Sequence, residues 1–197
     1  MDIIELYLII LGLKEIPRTG WNEVGVSTNK VESIMAHIGG TVALARLLKT
    51  KEEYKDIDMD KVDGLIVINE LKKLEGNVEY SITENGDYSE DFVLSLLNRL
   101  SNKDQLVALY DEGKLGQSKE AKFAVMVAKL ESDIQAKKYE QEGEFTLDNA
   151  KKDIENYPDE IKGKLGEIKK ASDGWISYNQ KYYDENFMKL SEDIKKL

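Results

Sequence analysis

The chain has no cysteine. Disulfides, thiolate zinc sites and cysteine nucleophiles are therefore excluded. It has one histidine, His37, which excludes any site built on two imidazoles and with it many zinc hydrolases. Two prolines and 14 glycines in 197 residues do not make a loop-rich or collagen-like chain. Basic residues are outnumbered: 28 Lys and Arg stand against 38 Asp and Glu, for a net charge of -10. A phosphate-backbone binder needs a basic face, and docking on anionic lipid needs a polybasic segment. Neither direct nucleic-acid binding nor a membrane is expected as a partner. Long apolar runs are missing too. The most apolar stretch, Ile3–Leu13, is too short to span a bilayer, and Glu5 interrupts it. Asp2 is the only charge before it and no small-residue cleavage site follows, so it does not read as a secretory signal. A cytoplasmic protein is the expectation.

What is present is an ordinary folding composition, with 41% hydrophobic and 34% charged residues and a length that suits one domain. Apolar spacing is helical almost throughout. A first helix is expected over 2–13 and a loop over 16–21, where Pro17 and Gly20 punctuate the chain. Ile34, Ile38, Val42, Ala45 and Leu48 predict a long helix from Val31 to Leu48. Gly39-Gly40 inside it points to a close helix contact. A helix over 60–73 carries the run Leu65-Ile66-Val67-Ile68 and should be buried, with Asp58 or Asp60 as its N-cap and Gly76 as its stop. Further helices are expected over 89–100, 101–110, 118–142, 147–157, 159–171 and 178–197. Tyr80–Thr83 is the one weak strand candidate. The fold class is all-α.

Familiar catalytic patterns are missing. No Gly-x-Ser-x-Gly elbow accompanies His37, and Gly39-Gly40 lacks the lysine and serine of a phosphate loop. Acidic pairs such as Glu52-Glu53 and Asp111-Glu112 carry little information in so acidic a chain. Trp175, Tyr178, Tyr182, Tyr183 and Phe187 have the spacing of a helix stripe, which reads as core or a dimer face.

Three separated stretches resemble a known family. The first is Leu13-Lys14-Glu15-Ile16-Pro17-Arg18-Thr19-Gly20-Trp21, followed by Val31-Glu32-Ser33-Ile34-Met35-Ala36-His37. The second is Lys61 to Val78. The third runs from Glu120-Ala121-Lys122 through Lys129-Leu130-Glu131 and Gln135-Ala136 to Tyr139-Glu140. In order and spacing they are similar to the HD-domain phosphohydrolases of the 5′-deoxynucleotidase type, over about residues 10–142. The resemblance implies an HD-domain helical bundle spanning 1–197 as a single domain, with 143–197 as a helical C-terminal extension, and a homodimer.

The family holds a divalent metal with a histidine, an adjacent His-Asp pair and a distant aspartate. His37 matches the first. The resemblance places Ile68 and Asn69 at the pair and Ala128 at the distant aspartate, with Lys72 at a helper glutamate and Asn77 at an aspartate after Gly76. Isoleucine and alanine offer no lone pair, and a neutral amide is a weak ligand. A site that needs three or more protein donors is therefore lost, together with its activated water. No catalytic residue, metal or other cofactor is expected. The expected role is binding, of a nucleotide-like small molecule or of a protein partner. Arg18, Trp21 and His37 are the candidate ligand-binding residues, because the resemblance places Arg18 and Trp21 near the family's nucleotide pocket. A guanidinium fork suits phosphate and an indole suits a base.

Two alternatives stand beside this reading. One is a divergent metal-dependent nucleotide phosphohydrolase, in which Glu32, Glu70, Glu75 or Glu131 supplies oxygens to Mn, Co or Zn beside His37. The other is an acidic inhibitor that occupies a basic groove on another protein.

Overall fold

Capping residues and apolar periodicity set the helix boundaries. The computed structural model describes residues 3–27, 29–74, 90–152, 159–162 and 169–197. Its helices are α1 (Ile3–Leu11), α2 (Gly20–Glu23), α3 (Ile34–Leu48), α4 (Met59–Glu70), α5 (Glu90–Leu97), α6 (Lys103–Leu115), α7 (Lys119–Gln141), α8 (Leu147–Lys152), α9 (Asp159–Lys162), α10 (Ala171–Asn179) and α11 (Glu185–Lys195). Among the described residues there is no strand, only an isolated antiparallel bridge between Pro17 and Ser33. The fold is all-α, as expected. None of these helices is long and apolar enough to cross a membrane. The described residues divide into two compact units, one of residues 3–17, 33–74 and 90–128, the other of residues 18–27, 29–32, 129–152, 159–162 and 169–197.

In the first unit, α3 packs on α4 and α4 on α6. Ser33 is extended and its Oγ accepts from Ala36 N–H at 3.2 Å, which caps α3. The helix therefore starts three residues later than Val31. Residues 16–18 run antiparallel to 32–34 instead, with Ile34 N–H donating to Ile16 O at 2.8 Å and Arg18 N–H to Glu32 O at 2.9 Å. Asp58 caps α4 by accepting from Asp60 and Lys61 N–H. Val62, Leu65, Ile66 and Ile68 are buried, as the apolar run suggests. At Gly39 no close approach is found, since an added Cβ there would meet open space. A close helix approach does occur between α4 and α6. A Cβ on Gly113 would lie 2.6 Å from Asn69 Oδ1 and 3.2 Å from Leu65 Cδ2, and one on Gly64 would lie 2.7 Å from Leu109 Cδ2. Helix α6 runs on to Leu115, past the expected end at Tyr110, because the left-handed Gly116 (φ 62°) is its stop. Glu75, Gly76, Asn77 and the strand candidate Tyr80–Thr83 lie outside the described residues.

The second unit is built around an aromatic core. Trp21, Val24, Val26, Ala136, Tyr139, Phe145 and Ala171 are buried together, with Val31, Trp175 and Tyr178 against them. The expected single helix over 178–197 is broken. Helix α10 ends at Asn179, a 3-10 turn spans Gln180–Tyr182, and extended Tyr183 and Asp184 lead into α11. Asp184 accepts from Asn186 and Phe187 N–H at 2.9 Å each and restarts the helix. The stripe from Trp175 to Phe187 is thus divided between two helices. Trp175 stacks on Trp21, with centroids 4.3 Å apart and ring planes 25° apart, while Tyr183 lies against Phe187 at 5.8 Å.

Candidate functional site

The candidate residues fall in both units. In the second, a polar cluster forms around one carboxylate. Arg18 follows the Pro17 bridge and Glu32 precedes the cap of α3, so the antiparallel pairing of 16–18 with 32–34 brings the two side by side. Arg18 Nη1 donates to Glu32 Oε1 at 2.6 Å, and Arg18 Nη2 to Ser132 Oγ of α7 at 3.1 Å. Trp21 Nε1 donates to the same Glu32 Oε1 at 3.1 Å. The guanidinium carbon lies 5.7 Å from the centre of the Trp21 ring. Tyr139 fixes the backbone beneath, accepting from Glu32 N–H at 2.8 Å and donating to Lys30 O at 3.1 Å. Burial raises the Tyr139 pKa, so the phenol stays protonated as the hydroxyl these bonds require.

Both side chains of the ion pair are largely sheltered, 18% exposed for Arg18 and 10% for Glu32. Its electrostatics are therefore less screened than those of a surface pair. Trp21 is 1% exposed, with Trp175 on its face and Tyr139 and Phe145 at its edges. The structure places this indole in the core, with its N–H turned to Glu32.

In the first unit, His37 is buried on α3, and its backbone N–H donates to Ser33 O at 3.1 Å. Ile68 is buried in the last turn of α4. Asn69, its neighbour, fills the space beside Gly113 of α6. Position 69 is engaged in helix packing. Glu70 is ion-paired with buried Lys73, and Lys72 is half-buried in the turn Leu71–Leu74. Ala128 is half-buried in α7.

The metal-binding capacity is reduced. Within the second unit, Glu32 and Glu131 are two carboxylates whose oxygens approach one another within 4.8 Å, and both lie outside the positions at which the resemblance puts the metal ligands. The chemistry of this set fits a catalytic divalent ion poorly. One of its two carboxylates already accepts from a guanidinium and an indole on a single oxygen. A cation recruiting Glu32 competes with a permanent positive charge.

One buried acid escaped the sequence reading. Asp133 of α7 accepts from Asn179 Nδ2 at 2.7 Å and from Tyr183 OH at 2.7 Å. It is fully buried, and burial drives its pKa up to about 7. A signal was available, since Val127, Leu130, Asp133 and Ala136 recur at three-residue steps and an acid on an apolar line needs a partner. Tyr139 and Ser132 gave no comparable sign.

No family model matches the chain. It is 25% identical over 171 residues to the 5′-deoxynucleotidase HDDC2 of Bos taurus, covering 83% of this chain and 78% of that protein. Three solved structures share its architecture. The PH0347 protein of Pyrococcus horikoshii OT3 aligns over 96% of this chain and 99% of its own, with a TM-score of 0.63 and 22% identity. A conserved hypothetical protein of Pyrococcus furiosus covers 73% and 88%, with a TM-score of 0.59 and 26% identity. A predicted metal-dependent phosphohydrolase of Magnetospirillum magnetotacticum MS-1 covers 98% and 93%, with a TM-score of 0.59 and 15% identity. Fold and sequence likeness together point to the HD-domain, metal-dependent phosphohydrolase superfamily, with a reduced metal site.

Proposed function

We propose that this chain is a catalytically inactive protein of the HD type whose role is to bind a phosphate-bearing, nucleotide-like ligand. The observation that carries the reading is the state of the metal-ligand positions. Ile68 is buried without a donor atom, Asn69 is committed to α6 at Gly113, and Ala128 has no side-chain oxygen. Without a polarising cation no water is activated and no phosphoryl charge is neutralised. Binding can outlive that loss, because a guanidinium recognises phosphate without a metal. Arg18 supplies the cation in this reading, and Trp21 supports it from the core through Glu32. His37 is a further candidate ligand-binding residue. The protein acts in the cytoplasm as a homodimer, which sedimentation would measure.

The test is phosphate release from deoxynucleoside monophosphates by the chelator-stripped protein, with manganese, cobalt or zinc added back, alongside calorimetric titration of each metal. No release and no stoichiometric metal uptake is the expected result. Metal-dependent release abolished by His37→Ala would overturn the reading.

That outcome would favour the second reading, a divergent phosphohydrolase with a rebuilt centre. It is supported by the two carboxylates that the second unit brings together and by the likeness to a protein named a 5′-deoxynucleotidase. In that case Glu32 and Glu131 supply the carboxylate oxygens to the ion.

A further inference from the structure

A second polar cluster of the second unit takes no part in the reading above. Lys137 of α7 is 2% exposed, a rare position for an ammonium group. Its Nζ donates to Glu140 Oε2 at 3.1 Å. Glu140 is held in turn by α10, whose Ser172 donates its backbone N–H to Oε1 at 3.1 Å and its hydroxyl to Oε2 at 2.9 Å. The Lys137 ammonium therefore has a fixed place. Lys170 is the N-cap residue of α10 and is exposed. Its amine lies within hydrogen-bonding reach of Lys137 Nζ.

Two ammonium groups cannot bond to each other. Each has three donors and no acceptor, so a hydrogen bond between two lysines requires one to be a neutral amine with its lone pair turned to the other. The neighbours decide which. Burial opposes the charge on Lys137, but the bonds to Lys170 and Glu140 and the nearby Asp173 outweigh it, and its pKa is raised. The hydrogen bond from Lys137 and the charge behind it lower Lys170 from the ordinary 10.5, against the pull of Glu140 and Asp173. Lys137 is thus the donor and Lys170 the acceptor. A lysine beside a fixed cation is the arrangement that makes an amine nucleophilic at moderate pH.

We propose that Lys170 is a site of covalent acylation by a thioester, and that the Lys137 ammonium activates it. The groups that face Lys170 are one cation, Lys137, and two carboxylates, Glu140 and Asp173. Around a neutral Lys170 they leave a net negative charge, which repels an anionic acyl phosphate and does not repel an uncharged thioester carbonyl. The Lys170 lone pair forms the N–C bond to the acyl carbon. The carbonyl oxygen takes up negative charge within reach of the Lys137 ammonium, and the C–S bond then breaks. The proton lost by the Lys170 nitrogen goes to the departing thiolate, so the products are an amide and a thiol. Glu140 keeps its bonds to Ser172 throughout, and α10 stays in place. This site is independent of the ligand reading of Arg18.

The experiment exposes the full chain to a small acetyl thioester over a range of pH and reads acetylation of Lys170 against Lys169 by peptide mass spectrometry. Lys169 is its exposed neighbour in the chain. Near pH 8, Lys170 should react at least about three-fold faster than Lys169. Its rate should rise with a midpoint below the ordinary 10.5. Lys137→Met should abolish the preference, while Lys137→Arg should keep it, because arginine retains both the charge and the donors. Thermal melts check that each variant folds, and the pH profile of the unaltered chain tests the activation where a variant does not. With acetyl phosphate in place of the thioester, the preference for Lys170 should shrink. Equal rates at Lys170 and Lys169 would overturn the proposal. A preference that survives Lys137→Met would show that Lys137 does not activate Lys170. A preference undiminished with acetyl phosphate would overturn the assignment of the donor.

Discussion

The Tyr183 hydroxyl donates to Oδ2 of Asp133 at 2.7 Å, and joins the start of α11 to the buried side of α7. Asn179 completes the pair on Oδ1. Burial opposes the charge on this acid more strongly than these bonds and the positive Lys129 and Lys195 support it, so its pKa rises from 3.8 to about 7. A group whose pKa is raised on folding takes up protons as the chain folds. Its contribution is complete below the unfolded value near 3.8 and is lost as pH rises through about 7. A shift of that size corresponds to about 4 kcal/mol. Stability against urea should therefore fall from about pH 4 to about pH 7.5 and level off above that. Asp133→Asn should remove most of the slope, because an amide can accept from Asn179 and donate to the Tyr183 oxygen at every pH. A variant that keeps the full slope would show that another group carries it.

Restoring the missing metal ligands tests their assignment directly. The chain carrying Ile68→His, Asn69→Asp and Ala128→Asp should bind one manganese ion per protomer where the unaltered chain binds none. Without metal it should be less stable by about 1–3 kcal/mol, since a polar imidazole then replaces buried Ile68. Metal should return that stability, because an ion bound only by the folded state shifts unfolding in its favour. Calorimetry and melting with and without manganese provide the measurement. A triple variant that folds and still takes no metal would mean that these three positions are not the ligand positions.

Residue pattern reveals this fold in some places and not in others, for physical reasons. The cores of α3, α4 and α7 are legible because each buries one face, which leaves a three- and four-residue apolar period in the sequence. Their caps Ser33 and Asp58 are equally local. The break before α11 is signalled only by Asp184, a single cap inside an amphipathic stretch, and periodicity runs straight across it. The glycines Gly64 and Gly113 touch residues about 45 positions away, and no local pattern announces such a contact. At the candidate site Arg18, Trp21 and His37 are visible through the resemblance. The commitment of Arg18 to Glu32 and Ser132 depends on chain pairing that spacing does not encode.

The packing of Asn69 on α6 has a measurable consequence. A Cβ at Gly113 would stand 2.6 Å from Asn69 Oδ1 and 3.2 Å from Leu65 Cδ2, so Gly113→Ala should destabilise by about 1–3 kcal/mol despite its better helix propensity. Asn69→Ala should relieve most of that loss when the two are combined. Urea unfolding of the two single variants and the double variant gives the coupling energy. Additive losses would show that Asn69 is not held against Gly113.

Trp21 separates a packing role from a ligand role. Its face is covered by Trp175 at 4.3 Å, so a nucleobase can stack there only where Trp175 is absent. Trp21→Ala should cost about 3–5 kcal/mol, as removal of a large buried aromatic does. Trp21→Phe should cost less, because it keeps the stack and loses only the bond to Glu32. Phosphate binding should distinguish the two roles further. In the unaltered chain, deoxyadenosine monophosphate should gain nothing from stacking on the covered indole, so Trp21→Phe should bind it as tightly as the unaltered chain does. In Trp175→Ala the uncovered indole should favour the nucleotide by about ten-fold, in line with the ~1–3 kcal/mol of a base stacked on an aromatic ring. A nucleotide preference already present in the unaltered chain, and lost in Trp21→Phe, would place the base on Trp21 and show that Trp175 moves aside in solution.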